Sequence, residues 1–137
     1  MSLDLATQKA IRARLVATQA VTNLVPALNI LDRNQRSAPS PSIILEESQV
    51  VDEGSSLQRK HSRVFHTFHI WKREPSLDGV KRICGAVRNA LNWGRINLDS
   101  GYQAADIKVS SMRFIRVGDG EISHGIVTVE LLVNEVA

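Results

Sequence analysis

From Ser62 to Trp71 the side chains sort by parity. Val64, His66, Phe68 and Ile70 fall on one set, and Arg63, Phe65, Thr67, His69 and Trp71 on the other. A strand sends successive side chains to opposite faces, so this pattern predicts a strand with one apolar face. The segment before it reads as its hairpin partner. Ile43, Ile44 and Leu45 start a strand that runs through Glu46 and Glu47 to Val50 and Val51, and Asp52 to Gly54 supply turn chemistry. The basic, polar stretch from Leu57 to Arg63 caps that hairpin. Toward the C-terminus, Ile107, Val109 and Ser111 alternate with Lys108 and Ser110, and Phe114, Ile115 and Val117 continue the run. Gly118-Asp119-Gly120 is a turn signal, after which Val127, Val129, Leu131 and Val133 form a continuous apolar face on the returning strand.

Two stretches carry helical spacing instead. Leu5 to Val21 places Ile11, Leu15, Ala10 and Ala17 on one face, with Lys9, Arg12 and Arg14 mostly off it. Ser2 or Asp4 offers a cap, and Pro26 ends the element at the latest. The second helix opens at Pro75, Ser76 and Asp78 and repeats Leu77, Val80, Ile83 or Cys84, Val87 and Leu91, with Gly94 closing the region. Between Asn29 and Asp32 lies a short edge or entry strand, followed by a loop extended by Pro39 and Pro41. The order is α-β-β-β-α-β-β. It predicts an α+β fold: a mainly antiparallel sheet of four to five strands, a long β-hairpin, and two helices packed on one face. No repeat or linker divides the chain, so residues 1–137 read as a single domain.

Composition narrows the classes. With 43% hydrophobic and 23% charged residues, the chain can fill a core and is not a disordered one. The net charge of +3 and pI of about 9.4 describe a mildly basic surface, too weak a bias to mark a nucleic-acid binder. Cys84 is the single cysteine, so no intramolecular disulfide forms, and its place on an amphipathic run predicts a packed core thiol. The opening MSLDLATQKAIRARL lacks the apolar region of a secretion signal, and no apolar run has transmembrane length, so the expectation is a cytoplasmic protein without a membrane partner.

The histidines are the main candidates for chemistry. His66 and His69 are three residues apart and His61 and His66 five apart, so on a strand each pair is split between faces. His61 and His69 share a face but stand too far apart for one ion. Chelation would therefore need His124 or another subunit, and no second cysteine or HExxH pattern supplies ligands. His66 reads as a partly buried histidine with a hydrogen-bond partner; His69 reads as facing outward beside Trp71, a natural contact anchor. Glu46 and Glu47 are adjacent, which on a regular strand points them to opposite faces and does not suit paired acid/base work. No nucleophile elbow surrounds the serines, and no lysine or helix start follows the glycine-rich turn. The residues thus predict no catalytic site, no metal and no cofactor. Arg59, Lys60 and Arg63 make a small basic patch at a hairpin tip, within reach of a partner.

One stretch carries a family resemblance. Phe114-Ile-Arg-Val-Gly-Asp-Gly-Glu-Ile-Ser-His124-Gly-Ile-Val-Thr-Val-Glu-Leu-Leu-Val resembles the C-terminal hairpin of the small tail-completion, or tail-terminator, proteins of long-tailed bacteriophages and gene transfer agents. The proline-rich lead Ala38-Pro-Ser-Pro-Ser-Ile-Ile-Leu-Glu, the strand His66-Thr-Phe-His-Ile-Trp71, the helix ending in Ala90-Leu91 and the stretch Ile30-Leu-Asp-Arg33 are similar to the same family. Together they cover nearly the whole chain. Two departures stand out: a longer segment from Asn92 to Gly101, and Val117-Gly118 where the family often has an acidic residue or proline.

The resemblance implies a structural virion protein and not an enzyme. Six copies would form a ring that caps the tail tube, meets the head connector and lets double-stranded DNA pass through its lumen without reading sequence. The implied partners are further copies of the chain, the tail tube protein and the head–tail connector or stopper. Assembly would take place in the bacterial cytoplasm. Candidate interface residues are Arg33, Arg36, Arg59, Lys60, His61, Arg63, His69, Trp71, Asp119 and His124. A connector or stopper protein is the alternative station in the same assembly. A small metal-dependent enzyme using His61, His66, His69 or His124 is the alternative from another class.

Overall fold

A computed structural model of the chain describes residues 2–32, 39–54, 57–92, 95–99 and 101–136. Helix α1 spans Leu3–Ala17 and α2 spans Gln19–Thr22. A 3-10 turn at Ala27–Asn29 leads into β1, Ile30–Leu31. Strands β2, Ser42–Asp52, and β3, His61–Lys72, form a hairpin. Helix α3, Asp78–Asn92, precedes the second hairpin, β4 at Tyr102–Val117 and β5 at Ile122–Glu135. The sheet order is β1-β2-β3-β5-β4, parallel at β1–β2 and antiparallel elsewhere. This is the α+β architecture read from the sequence, with β1 as the short edge strand. The expected helix stop at Gly94 and the loop over 33–38 lie outside the described residues. No described helix is long and apolar enough to cross a membrane.

The first helix departs from the single element its periodicity suggests. It breaks at Thr18, where φ −95° and ψ 110° are extended. The Thr18 hydroxyl donates back to the Arg14 carbonyl at 2.6 Å, a local bond that competes with helix continuation. The break changes the phase of the next turns, so Val21 and Val25 also end up fully buried in the same core.

The inward face of the sheet and the two long helices share one core. Ile11 and Leu15 of α1, Val80, Cys84, Val87 and Leu91 of α3, and Val64, Phe68, Ile70, Val127, Val129 and Leu131 of the sheet are all fully buried. The parity read from β3 and β5 holds residue for residue. Helix α3 comes so close to β5 that a Cβ on Gly125 would lie 2.7 Å from Cys84 Sγ. That approach explains the glycine after His124: a side chain there would occupy the space of the thiol. Burial pushes the Cys84 thiol up to about 12, so it is a core group and not a nucleophile.

The strands are less regular than simple alternation predicts. β4 shifts register between Ala104 and Asp106 and again between Val109 and Ser111. Ile107 and Val109 pair with the inward-facing Leu131 and Val129, but beyond the second shift Met112 and Phe114 take the inward places opposite Val127 and Gly125. Ser111 therefore faces outward, across from Thr128. A bulge adds one residue to one strand and reverses its parity, which a pattern of period two does not reveal.

Candidate functional site

The histidines of β3 separate as their spacing requires. His66 points into the core, 2% exposed, and its Nε2 shares a 2.6 Å hydrogen bond with the Thr7 hydroxyl of α1. The same hydroxyl lies 2.9 Å from the Asp4 carbonyl. The consistent assignment is Thr7 donating to that carbonyl and His66 Nε2–H donating to Thr7. Desolvation by burial lowers the His66 pKa to about 4, against the opposing pull of Asp4. Both partners are buried, so the pair braces α1 on β3 and offers no accessible nucleophile.

On the uncovered face of the sheet, register brings together residues distant in sequence. Trp71 stands opposite His124, and His69 opposite Ile126. The Trp71 and His124 rings stack with centroids 3.8 Å apart and planes 8° apart. His124 Nε2 lies 2.8 Å from His69 Nδ1. Burial, then the neighbouring His69, lowers the His124 pKa to about 4, so His124 is neutral near pH 7. With the proton of neutral His124 on Nε2, His124 donates to His69 Nδ1, and His69 Nε2–H is left to donate to the carboxylate oxygens in front of it. Trp71 is half-buried in this stack.

The other nitrogen of His69 faces two carboxylates. Glu47 Oε1 is 2.7 Å and Glu46 Oε2 3.2 Å from His69 Nε2. This corrects the expectation that adjacent glutamates diverge. β2 shifts register between Leu45 and Glu47, so Glu46 is an inserted residue and both carboxylates reach the same side. Sequence reasoning missed the pair because nothing nearby marks the shift: Glu46-Glu47 and Val50-Val51 are doublets and carry no parity.

The far end of the β2–β3 hairpin is not the open basic patch its composition suggests. Arg59 pairs with Asp52 at 3.0 Å, and Arg63 bridges Glu53 and Glu130. Arg63 thus belongs to the sheet's own ion-pair network. Lys60 is exposed, and His61 Nδ1 lies 2.6 Å from Asn134 Oδ1. Asp119 Oδ1 accepts the Glu121 N–H at 3.2 Å and steadies the β4–β5 turn, where Gly118 and Gly120 take φ values of 68° and 91°. Arg33 and Arg36 lie outside the described residues. The sequence-derived candidates therefore divide. Arg59, Lys60, His61 and Arg63 gather at one end of β3, and His69, Trp71 and His124 toward the other, with Asp119 in the turn that follows β4.

Phe65, Trp71, Ile115, Ile126 and Leu132 lie half-exposed on the face opposite the helices. A chain of the virion of a native gene transfer agent particle superposes with a TM-score of 0.81 at 16% identity, covering 97% of this chain and 98% of that one. The structure of the bacteriophage SPP1 gp17 protein matches with a TM-score of 0.63 at 20% identity, over 98% of this chain and 91% of that one. No curated protein sequence matches the chain. The family of tail completion protein gp17 matches residues 9–134. The chain belongs to the tail completion protein gp17 family.

Proposed function

We propose that the protein is a tail terminator: six copies close into a ring that caps the tail tube, joins it to the head connector and passes double-stranded DNA through its lumen. The observation that carries this reading is the end-to-end likeness to a chain of a gene transfer agent virion, over 97% of one chain and 98% of the other. The physical design supports it. A ring subunit needs two different lateral surfaces and two axial ones, each of interface size, and no reaction centre. Here the helices cover one sheet face and leave the other, with its half-exposed apolar side chains, for a neighbour. The contact residues we assign are Arg59, Lys60 and His61 at the hairpin tip, Trp71 and His69 on the open face, and Arg33 and Arg36. The net charge of +3 lets DNA pass without many tight phosphate contacts, each of which would slow its transit. The protein acts by binding and carries out no catalysis, and it assembles with its partners inside the bacterial cell.

Electron microscopy of particles from a host lacking the gene tests the reading. Full heads beside overlong or irregular detached tails are the expected result. Tails of normal length that fail to attach would move the protein to the connector or stopper station. Normal particles would refute a role in tail completion.

A further inference from the structure

We propose that the sheet continues from one copy of the chain into the next, the open edge of β2 in one copy pairing antiparallel with the open edge of β4 in its neighbour. β1 covers β2 only at Ile43 and Ile44, and among the described residues no strand pairs with the outer side of residues 46–52. β4 pairs with β5 alone and closes the opposite end of the sheet. Asn92 Oδ1 accepts the Val109 N–H at 2.8 Å, so the open stretch of that edge lies beyond it, at residues 111–117. Each edge presents a row of unpaired backbone donors and acceptors, a template for another strand. On the β2 edge Val50 is 46% exposed and Val51 39%, although Val50 stands opposite the fully buried Val64. A strand laid along β2 would cover both valines.

Charge selects the occupant. The β2 edge carries Glu46 and Glu47, with Asp52 already paired to Arg59. The β4 edge carries the exposed Arg113 and Arg116; Arg113 has no hydrogen bond or ion pair among the described residues, and Arg116 donates to the Pro75 carbonyl. Two copies of the same edge would set like charges together, whereas β2 against β4 sets carboxylates beside guanidinium groups. Strand direction agrees. Every junction in the order β2-β3-β5-β4 is antiparallel, so β4 runs opposite to β2, and a rotation that carries the sheet onward makes the new junction antiparallel as well. Matching the outward sides fixes the register in steps of two. Ser111 set opposite Val51 overlaps the two open stretches, places Ile115 opposite Glu47 and brings Arg113 within diagonal reach of that carboxylate. The contact joins two different surfaces, so it repeats from copy to copy. It rests on the ring reading for its closure and supplies the lateral contact which that ring requires.

The experiment is disulfide trapping of Val51→Cys and Ser111→Cys chains, in purified protein at high concentration and in assembled particles, with the buried Cys84 left in place. Neither single variant should cross-link to itself, a mixture of the two should give a dimer, and the double variant should give a ladder of copies. Val50→Cys with Ser111→Cys should give no ladder, because Val50 faces the helix side of the sheet. Arg113→Glu should lower the cross-linked fraction at least about tenfold, and Glu47→Arg added to it should recover most of the loss. Circular dichroism verifies that each variant folds. Self-cross-linking of either single variant would show a contact between like edges and overturn the proposal, as would a double variant that gives no ladder. Rings seen by electron microscopy without the ladder would overturn this contact and leave the ring reading standing. A ladder in protein that never closes into a ring would keep the contact and overturn the ring.

Discussion

Replacing Gly125 by alanine adds one methyl group at the tightest contact between α3 and the sheet. The new Cβ would lie 2.7 Å from Cys84 Sγ, with Ile70 Cβ at 3.6 Å and Val80 Cβ at 3.8 Å. Optimal separations between such atoms are about 3.5–4.0 Å, so the overlap with sulfur is near 1 Å while the other two contacts are ordinary. β5 cannot readily retreat, because Gly125 is held between Ile70 of β3 and Phe114 of β4. Cys84 is fully buried, so its thiol swings only by displacing other core atoms. Overpacking of this kind costs about 1–3 kcal/mol. For a chain of 137 residues, an unfolding entropy of about 2.1 cal/mol/K per residue converts that into a Tm lower by roughly 3–10 °C. The assay is thermal and urea unfolding of Gly125→Ala, Cys84→Ala and the double variant. Removing the thiol makes room for the methyl, so the double variant should be more stable than the sum of the two losses predicts, with a coupling of about 1–2 kcal/mol. Additive losses, or a Gly125→Ala protein as stable as the parent, would refute the account of why glycine stands there.

Acid should weaken the fold through His66. Its folded pKa of about 4 lies below its ordinary 6.5, so the unfolded chain takes the proton first. The stabilisation is complete above about pH 6.5 and is lost as pH falls toward 4, with roughly 2 kcal/mol gone between pH 7.5 and 5. His124 acts in the same direction, so the comparison is urea unfolding of the parent against His66→Gln, whose pH slope should be shallower; an equal slope would clear His66. Thr7→Val strands the buried imidazole nitrogen and should cost about 1–3 kcal/mol in the same assay. At the hairpin tip, Arg63→Glu would set a carboxylate against Glu130, which is 12% exposed, and should lower Tm clearly. Arg59→Glu breaks only an exposed pair and should cost less than about 1 kcal/mol; equal losses would contradict the division between sheet brace and surface charge. In particle assembly, Arg59→Glu/Lys60→Glu should reduce the yield of joined particles while the purified protein stays folded, and unchanged yield would remove these residues from the interface.

Much of the fold is legible in the order of residues. Amphipathic α3, the apolar faces of β3 and β5, the glycine turn and the edge strand at Ile30 all follow from local periodicity, because burial on one side imposes a period on the chain. The same reasoning places His66 inward and His69 outward, and it recognises Cys84 as a core thiol. The family resemblance is carried by the same patterns, since strand order and turn chemistry persist where side chains vary. Local sequence does not disclose where periodicity is interrupted. The helix break at Thr18 and the register shifts in β2 and β4 each reverse or redirect a face, and each depends on how neighbouring elements pack.

The cluster on the open face belongs to this second category. Glu47, His69 and His124 are separated by 22 and 55 residues, and no spacing rule joins them. β5 inserts between β3 and β4, which sets His124 beside Trp71, and a single extra residue in β2 turns Glu46 and Glu47 together. Likewise the basic tip loses its apparent charge only once Asp52, Glu53 and Glu130 are seen beside it. Local sequence determined which residues face the core, because hydrophobic burial acts on each element separately. Tertiary structure decided which polar groups meet, because hydrogen bonds and ion pairs depend on register between strands, and a shift of one residue changes every partner.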